Sequence, residues 1–147
     1  MAQRYFTVAE ANRMIPELER SYGRMTQLHA LMREAYNRLE AAGFAPESPD
    51  FEIEPPGAEH GVIADRAELR ALHDELAGQL QHWEERGCVI KSIEAGLADW
   101  YARFQDRDIF LCWRLGEKEI GWWHDVDAGF PGRRPVSELD PEVLGDG

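Results

Sequence analysis

A chain of 147 residues with 44% hydrophobic and 30% charged residues has the size and balance of one globular domain with a sizeable core, which excludes disorder of the whole chain. Its 28 acidic against 16 basic residues give a formal charge of −12 that repels phosphate backbones and anionic lipid; with no segregated basic patch, neither nucleic acid nor membrane is an expected partner. The start MAQRYFTVAEANRM lacks the apolar run of a signal peptide, and no stretch is apolar for long enough to span a bilayer, so a cytoplasmic location is expected, with Cys88 and Cys112 reduced and packed.

In chain order, a helical hairpin is expected over 7–87. Thr7 and Glu10 form a capping box that starts a helix. Pro16 removes an amide, which predicts either a short helical stretch ending near Ile15 or a kink, followed by a long helix from Pro16 to Ala42. Its seam reads Leu18, Tyr22, Met25, His29, Met32, Tyr36 and Leu39, and Gly43 stops it. Residues 43–64, rich in proline and acid, read as a mobile loop anchored at most by Phe44, Phe51 and Ile53. A second helix is predicted to open at Asp65 with Glu68 completing its box. It presents Leu69, Leu72, Leu76, Leu80 and Trp83, ends at Gly87, and packs antiparallel to the first.

Residues 88–135 form a β-rich segment. IFLCWRL and EIGWWHDV around Gly116-Glu117 predict a two-residue type II′ hairpin with Leu115 facing Lys118, Arg114 facing Glu119 and Trp113 facing Ile120. That register puts Ile109, Leu111, Trp113, Ile120, Trp122 and His124 on one face, with Phe110, Cys112, Arg114, Glu119, Trp123 and Asp125 on the other. Cys88–Lys91 supplies a third strand. Residues 92–104 suit a helix through Ile93, Leu97, Trp100 and Phe104, but Gly96 weakens it, and a turn followed by irregular or extended structure is the preferred expectation. The tail 136–147 is expected to be loose apart from Val136 and Leu139. The fold class is thus α+β in a single domain, 1–147: a long antiparallel helical hairpin packed on a small, mainly antiparallel β-sheet.

FTVAEAN, GLADW, LCWRLGE, WWHDVDAGF and GRRP, in that order between Phe6 and Pro135, resemble the prokaryotic domain-of-unknown-function family 2203. The resemblance implies no activity. It points to Glu10, Asn12, Asp99, Cys112, Trp113, Glu117, Trp123, His124, Gly129, Phe130 and Arg133, and departs from the family pattern at Trp100 and Asp125 without losing a functional group.

Two sites compete with purely structural roles. His124 with Glu117, Asp127 and Glu10 is a candidate zinc or iron centre, although Asp125 faces away and further ligands would have to come from Glu10, Asp99 or His29. Otherwise His124 closes the apolar face by donating to a carboxylate or carbonyl. A calcium loop at Asp125, Asp127 and Gly129 is disfavoured by Val136 at the position of the bidentate glutamate. Arg133 and Arg134, with Trp123 and Asp99, could take a small anionic ligand; at a charge of −12 the arginines are expected instead to pair with acids such as Asp99 or Glu117 and pin the loop. His29 in the helical seam reads as a core residue. Cys112 as a nucleophile beside His124 is disfavoured by the predicted strand faces. The leading functional expectation is a binding or accessory domain without catalysis, self-associating as a homo-oligomer through the hairpin. The alternative is a metal-binding protein or metal-dependent enzyme centred on His124.

Overall fold

A computed structural model describes residues 3–146. The elements are α1 (Val8–Ala41), α2 (His60–Glu85), β1 (Cys88–Ser92), β2 (Leu97–Phe104), β3 (Arg107–Arg114), β4 (Trp122–Asp125), β5 (Arg134–Pro135) and a short α3 (Pro141–Leu144), with 3-10 turns at Phe130–Gly132 and Val136–Glu138. The fold is α+β, as expected. Two compact units share the helices: one comprises the chain up to Tyr22 and from Gln81 onward, the other Gly23–Leu80. Among the described residues no helix is long and apolar enough to cross a membrane.

In the Gly23–Leu80 unit, α1 and α2 run antiparallel. Arg24 makes a two-pronged contact with Glu75 at 2.5 and 2.7 Å, and Arg38 reaches Asp65 at 3.1 Å and Glu68 at 2.6 Å. These pairs explain why Asp65 and Glu68 do not start α2. Their carboxylates face α1, and the helix begins five residues earlier, at His60. The buried seam of α1 here is Met25, Leu28, Ala35 and Leu39, with Met32 packed against it; Tyr36 is exposed. The expected seam thus strayed onto His29 and Tyr36, one position past Leu28 and Ala35, because a straight helix drifts relative to a strict heptad. Phe51 is buried against Ala35, Leu39 and Leu69. Arg66 donates to the carbonyls of Phe44 and Glu52, and Arg70 to that of Phe51, so the connection is tied down by its backbone as well as by its apolar anchors.

In the other unit the capping box forms as read: Thr7 N–H donates to Glu10 Oε1 at 2.9 Å, and Glu10 N–H to Thr7 Oγ1 at 3.1 Å. Pro16 lies inside an unbroken helix. The lost amide bond is outweighed by burial on both sides of it, at Ala11, Ile15, Leu18 and Tyr22. Gly87, at φ 87°, turns the chain out of α2 into β1.

The five strands form one antiparallel meander in the order β1-β2-β3-β4-β5. Residues 93–96 are a turn, and the stretch from Leu97 is a strand buried at Ala98, Asp99, Trp100, Ala102 and Phe104, so the extended reading of the ambiguous segment was the right one. One face of the sheet carries Ala98, Trp100, Leu111, Trp113 and Trp123, all buried. Against it α1 sets Tyr22, whose ring lies 5.6 Å from that of Trp113 and whose hydroxyl donates to Leu97 O at 2.6 Å. The tail is docked rather than loose. Leu139 and Val143 are buried, Asp140 caps α3, and Arg13 donates to Asp146 O at 2.9 Å.

The β3–β4 register differs from expectation by one residue. Ile109 pairs with Asp125, Phe110 with His124, Leu111 with Trp123 and Cys112 with Trp122. The connection is not a two-residue turn but the whole of Leu115–Gly121. Glu117 folds back to accept from Arg114 N–H at 2.7 Å, and its carbonyl accepts from Trp113 Nε1 at 2.8 Å. Ile120 is buried, and its N–H is taken by Asn12 Oδ1 of α1 at 2.6 Å. A slip of one residue exchanges faces. Trp123 moves to the helix-facing side, and His124 joins Cys112.

Candidate functional site

β2, β3 and β4 each contribute one donor to the sheet face that carries His124. Asp99 pairs with Cys112 across β2 and β3, and His124 follows one pleat along on β4. All three are buried, at 2 to 3% exposure, and a carboxylate oxygen, the thiol sulfur and a ring nitrogen lie within 4.8 Å of one another. His124 Nε2 stands 3.2 Å from Asp99 Oδ2. Its Nδ1 stands 2.7 Å from Asp125 O; since a carbonyl only accepts, Nδ1 carries a proton and fixes the ring so that Nε2 faces the cluster. The other oxygen of Asp99, Oδ1, is buried with no hydrogen-bond partner among the described residues.

Burial alone would lower the His124 pKa, but hydrogen bonds to Asp99, Cys112 and the Asp125 carbonyl, with the charge of Asp99, push it up to about 10. Without a metal the ring is therefore an imidazolium donating from both nitrogens.

The cluster forms the floor of a cavity of about 220 Å³ whose remaining wall comes from Lys91, Leu97 and the turn from Val126 to Phe130. Lys91 holds its ammonium 4.3 Å from the centre of the Phe110 ring, and that ring lies 5.5 Å from His124.

The other residues singled out from the sequence are placed elsewhere. Glu10 is spent on the helix cap, and Asp127 is exposed in the turn after β4. Glu117 holds Arg133, whose Nη2 lies 2.8 and 3.0 Å from its carboxylate oxygens. None of these three joins His124, so the carboxylate at this site is Asp99. The Arg133 guanidinium also stacks on Phe130 at 4.6 Å and reaches Cys112 O at 3.3 Å, pinning the loop to the sheet. Arg134 pairs with Glu138 at 2.6 Å and lies over Trp123, which is buried on the opposite face from His124. The partnership of Cys112 with His124 was missed. Gly116 and Gly121, bracketing the connection, were the signal for a longer loop.

A family model described as "Uncharacterized conserved protein (DUF2203)" matches residues 4–136. The chain is also similar to the Ig-like V-type domain-containing protein FAM187A of Bos taurus, 26% identical over an alignment 120 positions long that covers 74% of this chain and 28% of that protein. It thus spans little more than a quarter of the curated relative it matches. No solved structure matches.

Proposed function

This chain belongs to the DUF2203 family, and from that premise, which carries no activity with it, we propose that it binds one divalent metal ion of the zinc type through Asp99, Cys112 and His124. The observation that carries this reading is the convergence of an oxygen, a sulfur and a nitrogen donor, from three adjacent strands, within 4.8 Å in a buried position. Mixed thiolate, imidazole and carboxylate sets suit zinc, and three protein ligands leave one position open. Two further features fit. The Nδ1 contact with Asp125 O is the outer hydrogen bond that ligating histidines make, and Asp99 Oδ1 is a buried carboxylate oxygen with coordination capacity that no donor among the described residues uses. A bound ion would take the place of the Nε2 proton and supply Lewis acidity at the cavity floor.

The test is elemental analysis of protein made without a histidine tag, loaded with zinc and desalted. About one equivalent is expected in the wild type. Cys112→Ser and Asp99→Ala should each retain less than about a tenth of that while keeping the wild-type circular dichroism spectrum. Wild-type protein that leaves the column without zinc would end the reading.

A further inference from the structure

We propose that the cavity over this site receives a small organic monocarboxylate with a short apolar tail, its carboxylate held between the open metal position and the Lys91 ammonium. The inference rests on the metal reading above and extends it to the ligand.

In a chain with 28 acids, Lys91 lines the cavity with its ammonium over the face of the Phe110 ring. A cation held on an aromatic ring at a cavity edge keeps its donors available to an incoming anion. The Asp99 carboxylate and a Cys112 thiolate would cancel the two charges of the ion, which leaves Lys91 as the surplus. Of the two arginines over Phe130, Arg133 is neutralised by Glu117, and Arg114 is exposed and farther out, 5.9 Å from the ring centre. One negative charge on the ligand balances the cavity; a phosphate dianion overshoots it.

Beyond the donors and Lys91 the cavity is bounded by Leu97, Val126 and Phe130, which offer apolar contact and no further hydrogen-bonding side chain. A cavity of about 220 Å³ has room for an acid with a short alkyl chain.

The test uses cobalt(II) in place of zinc, because its visible absorption reports the ligands around the ion. The cobalt-loaded full chain is titrated with butyrate, acetate, 1-butanol and inorganic phosphate. Butyrate should shift the bands saturably, acetate should bind several-fold more weakly for want of the tail, and butanol and phosphate should bind more weakly still. Lys91→Met should weaken butyrate by about tenfold or more while taking up cobalt at the wild-type stoichiometry. A cobalt spectrum that butyrate leaves unmoved, or equal butyrate affinity in Lys91→Met, overturns the carboxylate proposal and leaves the metal site standing. No cobalt uptake overturns both.

Discussion

Asn12 shows how one side chain sets a distant backbone. It sits in the second turn of α1, where asparagine is an ordinary helix surface residue, yet its Oδ1 accepts the N–H of buried Ile120, 108 positions along. Asn12→Ala leaves that donor without a partner in a dry setting, and the expected cost is about 1–3 kcal/mol, read as a lower urea midpoint at unchanged slope. A midpoint equal to wild type would mean that water replaces the contact. The family resemblance pointed to Asn12 without a role. Its partner was illegible because nothing near Asn12 in the chain says which amide it will meet.

At the scale of elements, the existence and type of the helices and strands were read correctly, while the start of α2, the continuity of α1 through Pro16 and the exact line of its seam were not, and neither was the strand register. The helices announce themselves through the Thr7–Glu10 box and the leucine stripe of α2, and the strands through branched and aromatic runs. The β3–β4 register failed because a minimal turn was assumed where Leu115–Gly121 folds back through Glu117 and is drawn inward by Ile120. That one-residue error separated His124 from Cys112 and hid the cluster. The same connection constrains the β1–β2 turn. Gly96 has φ 68°, its carbonyl accepts from Leu115 N–H at 2.7 Å, and a Cβ placed on it would lie 2.7 Å from Leu115 Cβ. Gly96→Ala is therefore expected to cost at least about 2 kcal/mol, from left-handed strain and from the overlap with Leu115. Thermal unfolding checks this, and a melting temperature equal to wild type would contradict the packing.

For the molecule as a whole, the acidic composition dominates the surface, but the pH response at alkaline values is set inside. Burial, with the charge of Asp99, pushes the Cys88 thiol well above its ordinary range despite the opposing Arg86, and burial with Cys88 and Asp99 does the same to the Tyr22 phenol. Both groups stay neutral in the folded state, while in the unfolded chain they ionise near about pH 8.5 and about pH 10. Their folded pKa values are raised, so their contribution is complete below the unfolded values and is lost as pH climbs above them. In the metal-free protein the urea midpoint should fall from about pH 6.5, where the unfolded His124 loses its proton, to about pH 10.5, and Cys88→Ala should flatten the part above about pH 8. A midpoint in Cys88→Ala that falls as steeply as in the wild type would show the thiol to be irrelevant.

The meander has a last consequence, for colloidal behaviour. An open sheet invites another chain to add a strand wherever amides and carbonyls stand unpaired along a border. Here the border strand β1, Cys88–Ser92, is short, carries the exposed Lys91 and is broken by an irregularity between Ile90 and Ser92, and beyond it the Phe6 N–H occupies the Tyr101 carbonyl of β2. The opposite border is β5, two residues long and ending in Pro135, which has no amide to offer. Neither border presents a long template, so the sheet is protected at both margins against polymerisation by strand addition.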